Sequence, residues 1–180
     1  MFMTDTPAIK QPPTLSAAVV LHHSPLEQLH GLLVSLDKSA RALGVRIPLY
    51  LIDQSQSAAY SEAVQTMTRE AATITSLKLQ YIARGRNDGY GAGHNTVLDK
   101  AAGDYHLILN PDVELPENAL VQFIRNLTDH PEVALLAPRG ANEIGEEEHL
   151  AKRYPSVLIL MLRALGSQTL KRLFAKRLAA

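Results

Sequence analysis

An asparagine and an aspartate follow a buried-type apolar run in the segment YHLILNPD. Asn110 and Asp112 are separated by Pro111, and a proline holds the residue before it in extended geometry. The amide and the carboxylate therefore lie two residues apart where a predicted strand ends. Mg²⁺ and Mn²⁺ prefer oxygen ligands and often share their coordination with substrate phosphates, so Asp112 can serve a divalent metal. The same tripeptide would also suit a turn that leads into the helix opened by Pro116.

A glycine-rich segment, RGRNDGYGAGHN, occupies residues 84–95, before that strand. Its glycines alternate, at Gly89, Gly91 and Gly93. This GxGxG spacing differs from the GxGxxG of dinucleotide-binding folds, and the absence of Gly-Lys-Ser/Thr excludes a phosphate-binding P-loop. The remaining interpretation is a loop whose backbone approaches a ligand closely and whose following helix start receives negative charge. Asn87 and Asn95 add side-chain amides to it, which a simple connector would not need.

Other polar residues follow two further apolar runs. Asp53 begins the sequence DQSQS; it can accept hydrogen bonds from a nucleobase or a ribose, but it equally suits a helix cap or a turn, and both interpretations stay open. His22 and His23 would point to opposite faces of a strand, so we do not expect them to hold one metal ion together. Without cysteine, HExxH or GxSxG, neither a zinc site nor a serine hydrolase triad is expected.

Apolar runs and helical periodicities alternate along the chain and predict how these residues are positioned. Five strands are predicted, at residues 17–21, 47–52, 77–82, 105–109 and 133–136. Helices are predicted over residues 25–44, over 60–71, around 97–101 after a loop at 85–93, and over 116–130. This alternation is typical of an α/β fold with a parallel sheet, in which ligands bind beyond the carboxyl ends of the strands.

The composition excludes several classes of protein. The 180 residues include 18 basic and 18 acidic side chains, a balance that argues against a nucleic-acid-binding protein. Cysteine is absent, which excludes disulfides and thiolate chemistry. Residues 1–13 lack the apolar core of a signal peptide, and no apolar run approaches the ~20 residues of a membrane-spanning helix. We therefore expect a cytoplasmic protein.

Charge is unevenly distributed along the chain. Residues 151–180 hold seven basic and no acidic side chains, which leaves 11 basic and 18 acidic ones in the rest. Apolar residues alternate with these basic residues, a pattern that predicts a basic amphipathic helix. Such a helix can make peripheral contact with the inner face of an anionic membrane, or it can pack its apolar face against further protein. Both alternatives stay open.

Taken together and in this order, these segments resemble the N-terminal, donor-binding portion of a family 2 glycosyltransferase of the GT-A fold, rhamnosyltransferase-like in type. The resemblance covers about residues 17–165 and rests on VVLHHSPLEQLHGLLVSL, LYLIDQS, NDGYGAGHN, YHLILNPDVELPENAL, HPEVALLAPRGANEIG and KRYPSV. It implies a GT-A-like, mostly parallel sheet flanked by helices. The predicted divisions are a polar lead at 1–16, a nucleotide-sugar-binding domain at 17–150 and a helical tail at 151–180.

The resemblance also implies an activity and the residues that serve it. A sugar, rhamnose by likeness, would pass with inversion from a dTDP- or UDP-linked donor to a glycan or lipid-linked acceptor in cell-envelope polysaccharide synthesis. Asp53 would lie near the nucleoside, and Asp112 would hold Mg²⁺ or Mn²⁺ against the diphosphate. The other donor-binding residues would be Asn87, Gly89, Gly91, Gly93, Asn95 and Asn110.

The resemblance leaves the catalytic residue unassigned. An inverting transfer needs a general base for the acceptor hydroxyl, and family members carry it in a later acidic motif. No Asp or Glu follows Glu148 in this sequence. The chain therefore looks like the donor half of such an enzyme, and a truncated, non-catalytic module that binds a nucleotide sugar or another protein is the alternative.

Overall fold

The structure, a computed structural model, describes residues 13–71, 73–101, 103–138, 140–141 and 147–148. The chain divides into two compact units, the first ending at Glu132 and the second beginning at Val133. The predicted basic tail and most of the predicted polar lead lie outside the described residues. The domain limits drawn from the sequence stay a prediction.

The first unit alternates strands with helices. Its strands are β1 (Leu15–Leu21), β2 (Ile47–Asp53), β3 (Leu77–Ala83) and β4 (Tyr105–Leu109). Its helices are α1 (Leu26–Leu43), α2 (Ala58–Glu70), α3 (Tyr90–Asn95) and α4 (Ala119–Asp129), with a 3-10 turn over Leu98–Lys100. In the second unit, a short antiparallel pair is formed by β5 (Gly140–Ala141) and β6 (Glu147–Glu148).

The four strands of the first unit form one parallel sheet in the order β3-β2-β1-β4. Leu21 pairs with Asp53, and Asp53 pairs with Ala83, so three strands end at the same level. On the other side of β1, Leu109 pairs with Val19. The predicted parallel α/β fold is confirmed. We call the side of the sheet at which the four strands end its carboxyl edge.

The main core lies between one face of the sheet and helices α1 and α4. Helical spacing places four fully buried leucines of α1 there, namely Leu29, Leu32, Leu33 and Leu36. Burying a leucine stabilises a fold by about 1.5–3 kcal/mol relative to leaving it exposed. The opposite face carries a smaller cluster, made of Ala18, Val20, Tyr50, Ile52 and Val97. The two faces together hold the strand ends in fixed positions.

The predicted fifth strand is not formed. Residues 133–136 have no strand assignment, and Leu135 among them is 82% exposed. A short apolar run becomes a strand only where a neighbouring strand supplies hydrogen bonds and a packed face. Among the described residues this run has no such partner, which its apolar pattern alone does not reveal.

Where a helix was predicted around residues 97–101, the structure has only a 3-10 turn over Leu98–Lys100, and the α-helix lies before it. α3 begins at Tyr90, inside the segment predicted as a loop, and spans six residues. Gly89 has a φ of 86°, a left-handed value that glycine adopts without strain, and it turns the chain into this helix. Gly93 lets the helix lie on the sheet, because a Cβ at that position would be 2.6 Å from Val20 Cγ2.

Candidate functional site

Polar residues follow all four strands at the carboxyl edge. His22 follows β1, Asp53 ends β2, Arg84 follows β3, and Asn110 follows β4. Because the strands are parallel, these residues share one side of the sheet, which is where α/β proteins bind their ligands. The topology therefore gathers the strand-end residues that the sequence analysis singled out.

The Asp53 carboxylate is buried and hydrogen-bonded within its own chain. Its Oδ1 accepts a hydrogen bond from the Ser55 backbone N–H at 2.8 Å. Its Oδ2 accepts two, from Ser61 Oγ and Tyr81 OH, each at 2.6 Å. Burial alone would raise the pKa of Asp53, but these hydrogen bonds outweigh it and hold the pKa below its ordinary value. Asp53 is thus an ionised turn residue that joins β2 to α2 and β3.

Two tyrosines beside Asp53 escaped the sequence analysis. Burial, with the hydrogen bond to Asp53, raises the pKa of Tyr81, and burial raises the pKa of Tyr60, so both phenols stay protonated. Tyr60 OH donates to the Ser24 carbonyl at 2.9 Å. Tyr81 pairs with Leu51, two residues before Asp53, and therefore shares its face of the sheet. Side chains alternate between the two faces of a strand, and this alternation could have indicated the contact of Tyr81 with Asp53 once the strand register was known.

The two histidines after β1 do not behave as neighbours on a strand. Their ring centroids lie 5.0 Å apart in an edge-on arrangement, and the His23 ring lies 5.5 Å from that of Tyr60. The expectation that they point to opposite faces is wrong, because β1 ends before them and His23 has a left-handed φ of 56°. Left-handed residues other than glycine are uncommon and collect at functional sites.

His22 connects two of these strand ends. Its Nδ1 lies 3.2 Å from the Gln54 carbonyl, which can only accept, so Nδ1 carries the proton in the neutral ring. Its Nε2 is then free to accept a hydrogen bond from Asn87 Nδ2, which lies at 3.4 Å. Through this ring the end of β1 contacts both the turn after β2 and the glycine-rich segment after β3.

The glycine-rich segment is held by its own side chains. Asp88 Oδ2 accepts hydrogen bonds from Arg84 Nη2 and Arg86 Nε, each at 2.7 Å. These bonds lower the pKa of Asp88. Asn87 Oδ1 accepts one from the Gly89 N–H at 2.9 Å. These hydrogen bonds hold the segment in a defined turn without any ligand.

The remaining residues of this segment differ in how the fold uses them. Gly89 is needed for its left-handed backbone and Gly93 for its contact with the sheet. Gly91 is needed for neither, because a Cβ there would meet nothing within 4 Å. Asn95 is exposed at the last position of α3. The structure thus brings Asn87, Gly89 and Gly93 against the sheet edge, and leaves Gly91 and Asn95 facing outward.

Two histidines were also missed, the buried His94 within this segment and the half-buried His106 on β4. His94 on α3 is 4% exposed, and neither of its ring nitrogens has a hydrogen-bond partner among the described residues. His106 on β4 places Nδ1 2.8 Å from Ser16 Oγ. Burial lowers the pKa of both histidines, with a smaller contribution to His94 from the charge of His106. Both rings are therefore neutral at physiological pH.

The possible metal ligand lies beyond β4. Asp112 is exposed, and its negative charge, after burial, helps to raise the pKa of Tyr90 at the start of α3. Tyr90 in turn stacks edge-on against His94, with ring centroids 4.5 Å apart. Among the described residues, no three His, Asp or Glu side chains form a cluster that could hold a metal ion. A lone exposed carboxylate fits an ion that completes its coordination with phosphate and water.

A groove between α1 and α2 lies away from the carboxyl edge. It is lined by His30, Ala63 and Met67 among others, and it contains none of the predicted site residues.

Within the ranges that the structure describes, every helix is too short or too polar to cross a membrane.

The first unit is an α/β unit whose polar strand ends share one edge of a parallel sheet, the edge at which doubly wound α/β proteins bind their ligands. The sequence profile described as "Glycosyl transferase family 2" matches residues 48–177, which is most of the chain. This chain belongs to glycosyl transferase family 2. A search of curated protein sequences found no match.

Solved structures share this fold. TarS 1–349 from S. aureus matches with a TM-score of 0.50 and 19% identity, over 66% of this chain and 33% of that chain. The same fragment in complex with UDP-GlcNAc matches equally, over 66% and 32%. The mannosyltransferase PcManGT from Pyrobaculum calidifontis, in complex with GDP-Man and Mn²⁺, matches with a TM-score of 0.53 and 17% identity, over 67% and 34%.

These likenesses confirm the GT-A-like fold that the resemblance implied. The chain spans about a third of the length of the solved proteins that it matches.

Proposed function

We propose that the first unit binds a nucleotide-sugar donor at its carboxyl edge and that the chain serves sugar transfer. One observation carries the proposal: Asp53 at the end of β2, the glycine-rich segment after β3 and Asp112 beyond β4 lie at the carboxyl edge of one parallel sheet, in a chain of glycosyl transferase family 2. The relatives in complex with UDP-GlcNAc and with GDP-Man support the same class of ligand.

The nucleoside would lie near Asp53. Both carboxylate oxygens of Asp53 already accept hydrogen bonds within the chain, which fixes their positions. A base or ribose would donate a further hydrogen bond to this carboxylate. Asn87 and Asn110 would add amide groups, and the backbone at Gly89, Gly91 and Gly93, with Asn95, would border the donor.

Asp112 would hold Mg²⁺ or Mn²⁺ together with the donor diphosphate. Its exposure and its position beyond β4 suit an ion that takes its other ligands from phosphate and water. When bound, such an ion neutralises the charge that grows on the diphosphate as the sugar leaves. The complex of PcManGT with GDP-Man and Mn²⁺ supports the use of a divalent ion.

The sugar and the acceptor are proposed from the sequence resemblance. We propose a dTDP-linked deoxysugar such as rhamnose, with UDP-linked sugars as the nearest alternative donors. The acceptor would be a glycan or a lipid-linked glycan of the cell envelope, and the protein would act on the cytoplasmic side of the membrane. A chain that binds donor without turnover would be the nucleotide-sugar-binding module that is the second candidate.

Titration calorimetry with dTDP tests the donor site. We expect binding that depends on Mg²⁺ or Mn²⁺ and is lost on adding EDTA. Asp112→Ala should weaken this binding about tenfold or more and remove its metal dependence, because it deletes a charged contact. Asp99→Ala is the matched control, since Asp99 is exposed in the 3-10 turn after α3 and should bind like the wild type.

Four outcomes separate the alternatives. No binding by folded wild-type protein to dTDP, UDP or GDP contradicts a donor site in this chain. Binding that is equal in wild type and Asp112→Ala contradicts the metal ligand and leaves a metal-independent nucleotide site. Transfer of rhamnose from dTDP-rhamnose to an acceptor glycan, with release of dTDP, identifies the chain as a transferase, while donor binding without transfer identifies a binding module.

A further inference from the structure

Gln54 ties the ends of two strands together through its backbone. It follows β2 directly and is 1% exposed, which is unusual for a glutamine. Its N–H donates to the Leu21 carbonyl at the end of β1 at 2.9 Å. Its own carbonyl accepts from His22 Nδ1 at 3.2 Å. Two hydrogen bonds therefore hold the backbone of Gln54, and they fix the position from which its side chain extends.

The side chain of Gln54 reaches the glycine-rich segment. Its Nε2 donates to the Gly89 carbonyl at 3.3 Å. The same Nε2 would lie 2.7 Å from a Cβ at Gly93, so it touches the segment at both glycines. The Gly93 N–H donates to the Gly89 carbonyl at 3.0 Å, which closes the first turn of α3 around this contact. One amide group thus meets the backbone that turns the chain into α3.

We propose that Gln54 is a positioning residue that fixes the glycine-rich segment on the sheet and thereby sets the affinity of the donor site; the second half of this statement rests on the proposed function. A buried amide can hold an exposed backbone in one place, because its hydrogen bond specifies both distance and direction. A segment that is already ordered loses less conformational entropy when a ligand binds.

The first test measures the segment without any ligand. In Gln54→Met the side chain keeps its length but loses its donor to Gly89. We expect backbone amides of residues 89–94 to exchange with solvent about tenfold faster than in the wild type, as one lost hydrogen bond would cause. The control is Gln80→Met, which makes the same change at a half-buried position within β3 and should leave this exchange unchanged.

The second test measures dTDP affinity in the presence of Mg²⁺ across pH. We expect Gln54→Met to bind about tenfold more weakly than wild type at every pH, with Gln80→Met unchanged. Gln54→Glu provides a signature that a purely structural role would not give. A protonated glutamic acid can donate to the Gly89 carbonyl and a carboxylate cannot, so its affinity should approach that of wild type at low pH and fall as pH rises.

These outcomes separate the proposal from the function on which it draws. Unchanged exchange at residues 89–94 in Gln54→Met would overturn the positioning role, as would lower stability with unchanged dTDP affinity. If wild type binds no nucleotide, the proposed function fails, and the exchange measurement alone decides the role of Gln54. Should Gln54→Met not fold, Gln54→Glu at high and low pH provides the same comparison within one variant.

Discussion

At the residue scale, Asp53 joins the fold and the proposed site through one carboxylate. Its Oδ2 accepts from Ser61 and Tyr81, and its Oδ1 accepts from Ser55, so its position is fixed before any ligand arrives. An acceptor atom that is already held in place loses little entropy when a ligand binds to it. The same carboxylate therefore stabilises the free protein and would preorganise the proposed site.

Replacing Asp53 with Asn tests the structural half of this role. The variant keeps an acceptor for the Ser55 N–H but removes the charged acceptor shared by Ser61 and Tyr81. We expect the free energy of unfolding to fall by about 1–3 kcal/mol, measured by urea denaturation at pH 7. Asp129→Asn, at the exposed end of α4, should change it by less than about 0.5 kcal/mol. Equal losses in the two variants would contradict the importance of these hydrogen bonds.

The sequence indicated some of these residues and not others, for a physical reason. Asp53 and Asn110 directly follow apolar runs and Asp112 comes two residues after Asn110, so their place at a strand end could be predicted from local pattern. Tyr81 and Gln54 acquire their roles through contacts with residues far away in the chain, which depend on strand register. No local spacing encodes such contacts.

At the element scale, α3 shows how glycines can form a helix against a sheet. Two glycines inside a six-residue helix would normally weaken it. Packing outweighs this cost, because Gly93 lies directly on Val20 and Gln54. The alternation of glycines that suggested a loop instead combines a left-handed turn at Gly89 with a packing contact at Gly93. The intervening Gly91 has open space around it.

Alanine at the two helical glycines should have opposite effects. In Gly93→Ala the new Cβ would clash with Val20 Cγ2, so we expect a loss of about 1–3 kcal/mol in the free energy of unfolding. In Gly91→Ala nothing obstructs the Cβ, and the better helix propensity of alanine should stabilise the protein by up to about 1 kcal/mol. Thermal and urea denaturation of both variants measure this, and a stabilising Gly93→Ala would disprove the packing described for α3.

Elements that carry their own apolar pattern could be predicted from the sequence, and elements that depend on a packing partner could not. The strands β1 to β4 and the helix α1 carry their own apolar patterns, and the sequence located them to within a few residues. Residues 133–136 carry a similar apolar run without forming a strand, because a strand also needs a partner. α3 could not be located from periodicity, since glycines contribute no apolar side chains to such a pattern.

At the scale of the whole molecule, the buried His94 and the half-buried His106 link stability to pH. The pKa of His94 and of His106 lies below the ordinary value of 6.5 because burial disfavours their charged forms. Below pH 6.5 the unfolded chain therefore binds protons that the folded chain does not. Their contribution to stability is complete above that pH and is lost as the pH falls through their folded pKa values.

We accordingly expect the free energy of unfolding to decrease between pH 7.5 and pH 5. His94→Gln should reduce this decrease, because it removes one of the groups that must stay neutral. His30→Gln serves as the control, since His30 is exposed on α1, away from His94 and His106. Urea denaturation at the two pH values gives the change in the free energy of unfolding for each variant. An unchanged pH dependence in His94→Gln would contradict a contribution of His94 to it.

Titration of the isotope-labelled protein with dTDP and Mg²⁺, followed through the shifts of its backbone amide resonances, locates the nucleotide on the protein. The donor site at the carboxyl edge predicts shifts that concentrate at His22, Gln54, Gly89 and Asp112, with the amides of α4 unmoved. Shifts confined to the groove between α1 and α2, or no shifts at saturating nucleotide, would contradict a donor site at the ends of these four strands.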